Sequence, residues 1–258
     1  VVLVAPAQVT DAPSHVPAPF GLFTAVTPAP LGAVRWENGL TWRDQLCGDL
    51  PDVLVPDCAA PSGVPITFTA GQAGGDALPF TVVGDFLCSP VSWTPEEAQA
   101  EATARLLARE EEKTARTIVS FLTTTAGGDL QGTAVTTTGG APGDLAALEA
   151  QLAATYGSQG VVFASLAALY ELSAARAVYP RGSGMYTCAG TPLAVVRTVI
   201  AGFSLGIVPQ PLLARGEPFS AASNPANNFD HAHNDMYATA MRSYAAGWTT
   251  DCGAAYIG

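Results

Sequence analysis

Residues 94–122 read TPEEAQAEATARLLAREEEKTARTIVSFL, the longest uninterrupted helical signal in the chain. Thr94 is a suitable N-cap, because its hydroxyl can accept from the free N–H groups of the first turn. Pro95 takes the first helical position, where a missing N–H costs nothing. Glu97 completes a capping box and sets negative charge at the positive end of the helix dipole. Glu101–Arg105 and Glu112–Arg116 are spaced to pair one turn apart, with the acid first. No Gly or Pro interrupts residues 96–122, so the helix spans about 42 Å at 1.5 Å per residue. Its apolar stripe is thin in the middle: Ala98, Ala102, Leu106 and Leu107, then little before Ile118, Val119, Phe121 and Leu122. A helix so patterned is not buried all round. It is expected to lie along a sheet as a strut, one face packed and one wet.

Upstream, PFTVVGDFLCSPV (79–91) alternates and is rich in β-branched residues, a strand leading into the helix. Downstream, residues 123–144 hold six glycines and a run of threonines, a glycine-rich loop or weak hairpin. Asp144 is expected to cap a helix over Leu145–Tyr156, with Leu145, Leu148, Leu152 and Tyr156 on one face and Gly157 as the stop. Gly160–Phe163 reads as a short buried strand, and Ser165 as the cap of a helix over Leu166–Ala177. A turn at Gly190–Pro192 precedes a strand at Leu193–Val196. Residues 206–229 read as irregular, rich in Pro and Asn. DMYATAMRSYAAGW (235–248) is a long alternating strand that ends the fold. The fold class is α+β, with a compact unit over about 140–225 inserted between flanks that carry the strut helix and the long strands.

The N-terminal region differs. Residues 1–35 carry six prolines and almost no periodicity. Such a segment is expected to form no helix and to avoid the middle of a sheet. It reads as an extended arm that orders only against another surface; its composition equally suits a disordered tail. Residues 36–79 open with Trp36, a tight-turn Asn38-Gly39 and Trp42. A loop bounded by Cys47 and Cys58 follows, then a short strand at Ile66–Thr69. A two-stranded excursion of this kind is marginal alone in water and wants a partner surface.

Composition sets limits. The 258 residues are 48% hydrophobic, with mean hydropathy +0.26 and 13% charged residues, so a sizeable core is affordable. The net charge of −11 argues against a protein whose main task is gripping nucleic-acid phosphates. Lys113 is the only lysine. No stretch approaches the roughly 18 apolar residues of a membrane span, so no membrane partner is expected. The opening Val1 fits proteolytic maturation or loss of an initiator Met. The five cysteines form no C-x-x-C pair, which gives a zinc site little support. Cys47 and Cys58 flank a loop and can pair where the compartment allows; the plainer expectation is that all five are small buried hydrophobes.

Taken together, GLFTAVTP (21–28), RWENGLTW (35–42), PFTVVGDFLCSPVSWTPEEAQAEATARLLAREE (79–111), LAALEAQLAATYGSQGVVFAS (145–165) and NDMYATAMRSYAAGW (234–248) resemble the major capsid proteins of tailed phages, the Hong Kong 97-type fold, and in particular those of phages infecting actinobacteria. The resemblance implies an N-terminal arm (1–35), an E-loop (36–79), a peripheral domain (80–139) with spine helix 94–122, an axial domain (140–228) and a peripheral return strand (229–258). It implies a structural protein, not an enzyme, with no catalytic residue, cofactor or metal. Its function is self-assembly into hexamers and pentamers of an icosahedral head, put together in the host bacterial cytoplasm, that encloses double-stranded DNA without sequence-specific binding. Scaffold, portal and decoration proteins are the further partners implied. Trp36, Trp42, Phe68, Glu97, Arg105 and Arg109 are the expected subunit contacts, the aromatics as anchors. Some family members cross-link neighbours through a loop lysine and an asparagine; residues 36–79 contain no lysine, so such a mesh is not expected.

Two other readings remain. A shell of the same fold is an encapsulin-like nanocompartment with protein cargo. A secreted hydrolase is the third class: Gly202-Phe203-Ser204-Leu205-Gly206 matches G-x-S-x-G, with Asp230 and His231 or His233 following in hydrolase order. That motif needs a helix directly after Ser204, and Pro209 and Pro211 forbid one. The run Asp230–Asp235 has alternate residues that share a face and can approach a metal, but reads better as a solvated loop end. No P-loop is present.

Overall fold

The computed structural model describes residues 19–30, 39–44, 73–88, 93–136, 139–221, 229–230, 235–249 and 252–258. In chain order these form α1 (Leu22–Ala25), β1 (Ala29–Pro30), β2 (Leu40–Asp44), β3 (Ala73–Cys88), α2 (Pro95–Thr123), β4 (Thr133–Ala134), α3 (Ala141–Tyr156), β5 (Val161–Ser165), α4 (Leu166–Ala174), β6 (Val178–Arg181), β7 (Gly184–Thr187), β8 (Pro192–Val196), β9 (Leu205–Val208), β10 (Leu212–Arg215), β11 (Phe219–Ala221), β12 (Phe229–Asp230), β13 (Asp235–Thr249) and β14 (Ala255–Ile257).

The strut forms as its sequence predicts. Glu97 N–H donates to Thr94 Oγ1 at 3.2 Å, and Thr94 N–H donates to Glu97 Oε2 at 2.9 Å, closing the capping box. Hydrogen bonds to the carboxyl, from the Thr94 backbone N–H first and then from the Thr94 side chain, hold Glu97 below its ordinary pKa. The buried positions are Ala98, Ala102, Leu106, Glu110, Thr114, Ile118 and Leu122, with Ala115 and Val119 beside them. The first seven recur every fourth residue, and such a row is inclined to the helix axis by about 26°. The contact line therefore winds obliquely round α2. Gly84 sits under it: a Cβ there would lie 2.5 Å from the Ala102 carbonyl oxygen, so only glycine allows this close approach.

Two sheets carry the rest. The first runs β1-β10-β13-β3-β2, with β11 and β12 also on β13. Its centre is the long antiparallel pair β3/β13, from Cys88↔Met236 to Gly75↔Thr249. Even-numbered residues such as Val82, Phe86, Ala238 and Ala240 are buried, while Val83, Leu87 and Tyr237 face out. The second sheet runs β4-β14-β9-β5-β8-β7-β6. Its central strands are buried on both faces, which explains their unbroken apolar runs. Val161, Phe163, Ala194 and Val196 pack into one core with α2 and the first sheet. Val162, Ala164, Leu193 and Val195 pack into a second core with α3 and α4. The second sheet is thus the shared wall of two cores.

Several expectations need correction. The proline-rich arm does contain a helix, the single turn α1, and its Leu22 and Val26 are core residues. β1 keeps to a sheet edge, parallel to β10. Helix α3 starts at Ala141, not Leu145, and Asp144 is a buried first-turn residue, not the cap. Pro142 favours the early start, and Glu171 Oε2 from α4 accepts from the Ala141 N–H at 3.2 Å. Ser165 caps α4 as expected, accepting from Ala168 N–H at 3.2 Å, but the helix ends at Ala174. Residues 123–136 hold a 3-10 segment (Thr125–Leu130) broken at Gly128 (φ 55°) before the short β4. The stretch read as irregular yields β9, β10 and β11, three short strands separated by Pro209, Pro211 and Pro218. Of the segments assigned to the 140–228 unit, β10 and β11 pair with β13 in the first sheet; β14, expected with the return strand, lies in the second. The cysteines are not alike. Cys88 is buried with its thiol toward the Met236 carbonyl, Cys188 is exposed, and Cys252 is buried and disulfide-bonded. Cys47, Cys58 and Ile66–Thr69 lie outside the described residues.

Candidate functional site

The polar gap in the α2 stripe is filled from far away in sequence. Glu110 Oε1 accepts from Arg215 Nη2 of β10 at 2.5 Å. Its Oε2 accepts from Arg242 Nη1 at 2.5 Å and from Tyr244 OH at 2.9 Å, both on β13. Phe23 of α1 closes the cluster: its ring stacks on Tyr244 with centroids 6.4 Å apart, and the Arg215 guanidinium lies 5.5 Å from the Phe23 ring centroid. Phe23 N–H also donates to Glu111 Oε1 at 2.7 Å. One carboxylate therefore ties arm, helix and sheet together.

Burial first, then the negative charge of Glu110, pushes the Tyr244 phenol up to about 12. In the unfolded chain a tyrosine ionises near 10. The unfolded state thus releases its proton first, so the stability is full below about pH 10 and is lost as pH rises through about 12. Tyr244→Phe is expected to flatten this decline, read as denaturation midpoints measured across the alkaline window.

The expected contact residues fall into separate places. Trp36 and Phe68 lie outside the described residues, and Trp42 is on β2, opposite Gly75. Glu97 is spent on the capping box. Arg105 is exposed, with Nε donating to Glu101 at 3.1 Å, Nη1 donating to the Asp85 carbonyl at 3.2 Å, and its guanidinium 4.6 Å over Phe86. Arg109 lies one turn on, lining a cleft with Lys113 and β3. The structure brings Arg105 and Arg109 together and keeps Glu97 apart. It also adds a surface that was missed: Val83, Leu87, Phe219 and Tyr237 are large, apolar and exposed. The registers Leu87↔Tyr237, Val83↔Met241 and Phe219↔Met241 put them on one face of the first sheet. The period-2 pattern of 81–87 carries that signal, since apolar residues occupy both faces of the strand.

Ser204 immediately precedes β9, its N–H donating to the Ile257 carbonyl at 2.9 Å and its own carbonyl accepting from Ser165 N–H at 2.8 Å. A strand follows it where a nucleophile elbow requires a helix. The histidines of that reading lie outside the described residues. Among the described residues no three His, Cys, Asp or Glu side chains are placed to hold a metal ion. No helix among them is long and apolar enough to cross a membrane.

No family model and no curated protein sequence matches the chain. Solved structures do. The chain is similar to one from Mycobacterium phage Bobi, with TM-score 0.52 and 14% identity over 98% of this chain and 95% of that one. It is similar also to a chain of the capsid of cyanophage P-SCSP1u, with TM-score 0.51 and 10% identity over 98% and 92% of the two chains. The fold is the Hong Kong 97-type capsid fold. The capsid fold also relates the chain to the holo-SrpI encapsulin complex of Synechococcus elongatus PCC 7942, with TM-score 0.50 and 14% identity over 98% and 91%. At 10–14% identity, what these chains share is the fold.

Proposed function

We propose that this chain is the major capsid protein of a tailed phage, which self-assembles into hexamers and pentamers of an icosahedral head around double-stranded DNA. The observation that carries the reading is a match of fold over 98% of this chain and 95% of the Bobi chain. On this reading residues 1–35 are the arm, 36–79 the E-loop and α2 the spine helix. The second sheet with α3 and α4 is the axial domain, and β3 with β13 the frame of the peripheral domain. The protein acts as a wall, without catalysis or cofactor, in the virion capsid after assembly in the host bacterial cytoplasm. Its acidity suits a wall that must not trap the DNA it encloses. The base of the E-loop is supported by Leu40–Asp44 pairing with Ala73–Ala77. The exposed apolar face of the first sheet supports burial between subunits, or under scaffold, portal or decoration proteins.

Electron microscopy with light scattering on the chain, expressed alone and with its neighbouring genes, tests the proposal. Closed shells or rings of five and six subunits are expected. A particle that stays at 26.4 kDa under every such condition overturns it. Shells that carry protein cargo and no DNA move the assignment to an encapsulin-like compartment, the reading favoured by the SrpI match.

A further inference from the structure

Two buried polar atoms at the Glu110 cluster are left over. Thr114 is fully buried and Arg242 more than nine-tenths buried, and neither Thr114 Oγ1 nor Arg242 Nε has a hydrogen-bond partner among the described residues. Folded chains leave few such atoms unpaired, because hydration is given up with nothing in return. The two lie in one place. On α2, Thr114 follows Glu110 in the buried row, about 6 Å further along the axis. On the sheet, Gly84 approaches the Ala102 carbonyl, and the Phe80 ring meets Phe121. Val82 and its register partner Arg242 fall midway, beneath the turn from Glu110 to Thr114. Arg242 Nη1 accordingly donates to Glu110 Oε2, and Nε belongs to the same rigid plane as Nη1.

The Thr114 hydroxyl is not spent on its own helix either. Thr103, Thr117 and Thr123 of α2 each donate to the carbonyl four residues back, at 2.9, 3.0 and 2.8 Å. Thr114 makes no such bond to the Glu110 carbonyl. We infer that one ordered water sits between α2 and β13, accepting from Arg242 Nε–H and hydrogen-bonded to Thr114 Oγ1. The chemistry selects water. Nε–H is a donor on a cation, which repels a metal ion or an ammonium group. The Glu110 carboxylate beside it repels an anion, and an apolar occupant leaves both atoms unpaired. A water accepts from Nε and has two protons of its own. One of them suits Glu110, whose carboxylate has roughly four acceptor sites and uses three, for Arg215, Arg242 and Tyr244. With Thr114 that makes about three hydrogen bonds, the usual number for a buried water. The site belongs to the folded chain and does not depend on shell assembly.

Thr114→Val removes the hydroxyl while keeping the shape of the side chain. If the hydroxyl holds the water, the urea midpoint of the unassembled chain is expected to fall by roughly 0.3–0.5 M. A hydroxyl with no partner gives the opposite sign, because valine then relieves an unpaired buried group. A raised or unchanged midpoint therefore overturns the inference. Repeating the swap in a Glu110→Ala, Arg242→Met chain identifies the partners: the water has lost two of its anchors there, and the fall is expected to vanish or reverse. An equal fall in both backgrounds overturns the site. A direct bond between Thr114 and Arg242 passes both of those tests, and a map separates it from a bridge. In a shell or crystal map fine enough to show ordered waters elsewhere, a peak within about 3.2 Å of both Nε and Oγ1 is expected. Nε and Oγ1 in direct contact, or apart with no peak between them, overturns the inference even where the midpoints agree.

Discussion

Glu110→Ala is expected to destabilise the unassembled chain by about 3–5 kcal/mol, seen as a lower denaturation midpoint at unchanged slope. The carboxylate accepts from two guanidiniums and a phenol, and its removal leaves their charges without a counterion. The cost is unequal between the two cations. The Arg215 side chain keeps 33% of its surface exposed and can turn to water, where such pairs contribute roughly 1 kcal/mol or less. The Arg242 side chain keeps 8%, and its Nε already has no hydrogen-bond partner. Most of the loss is therefore the penalty of a buried, uncompensated Arg242. It follows that Glu110→Ala with Arg242→Met recovers much of the stability, because an apolar replacement removes the charge that cannot be solvated. A Glu110→Ala chain within about 1 kcal/mol of wild type would sink this account of the cluster.

The same residue shows where sequence reading stops. α2 was legible to within a residue at both ends, because cap, first-turn proline and acidic start all act within one turn of each other. Its buried row was only half legible. Ala98, Ala102 and Leu106 point to it, and continuing by fours reaches Glu110, Thr114, Ile118 and Leu122. A glutamate on that row reads as a gap until its partners are known, and they lie 105, 132 and 134 residues away. The short strands β9, β10 and β11 were hidden for a different reason: the prolines between them suggest irregular chain, while their pairing comes from β5, β13 and β14. Asp144 has the chemistry of a cap, but Pro142 and a carboxylate from α4 start the helix a turn earlier. Of the expected contacts, the Arg105–Arg109 ridge was visible as helical spacing. The edge of β3 beside it, uncovered among the described residues, was not, since strand pairing is a property of the assembled sheet.

Deleting residues 1–30 is expected to leave a chain that no longer folds cooperatively, although the sequence of residues 1–35 reads as an extended arm or a disordered tail. Leu22 is 1% and Val26 4% exposed, both inside the core shared by α2 and the two sheets. Burying each such side chain contributes about 1.5–3 kcal/mol. The backbone is fastened as well: Val195 N–H donates to the Phe20 carbonyl at 2.9 Å, Arg197 Nη2 donates to the Pro19 carbonyl at 3.0 Å, and β1 pairs with Ala214 and Arg215. Together these approach the whole stability of a domain, about 5–15 kcal/mol. The milder Leu22→Ala is expected to cost about 3 kcal/mol and keep a cooperative transition. Truncation has a second, local readout, because Phe23 covers Tyr244. Where part of the fold survives without Phe23, water reaches the phenol, and its pKa falls from about 12 toward 10, visible as tyrosinate absorbance at lower pH. A truncated chain that melts with the full-length midpoint and keeps the raised Tyr244 pKa would show that residues 19–30 rest on the core without supporting it, and would return the segment to the tail its composition also suits.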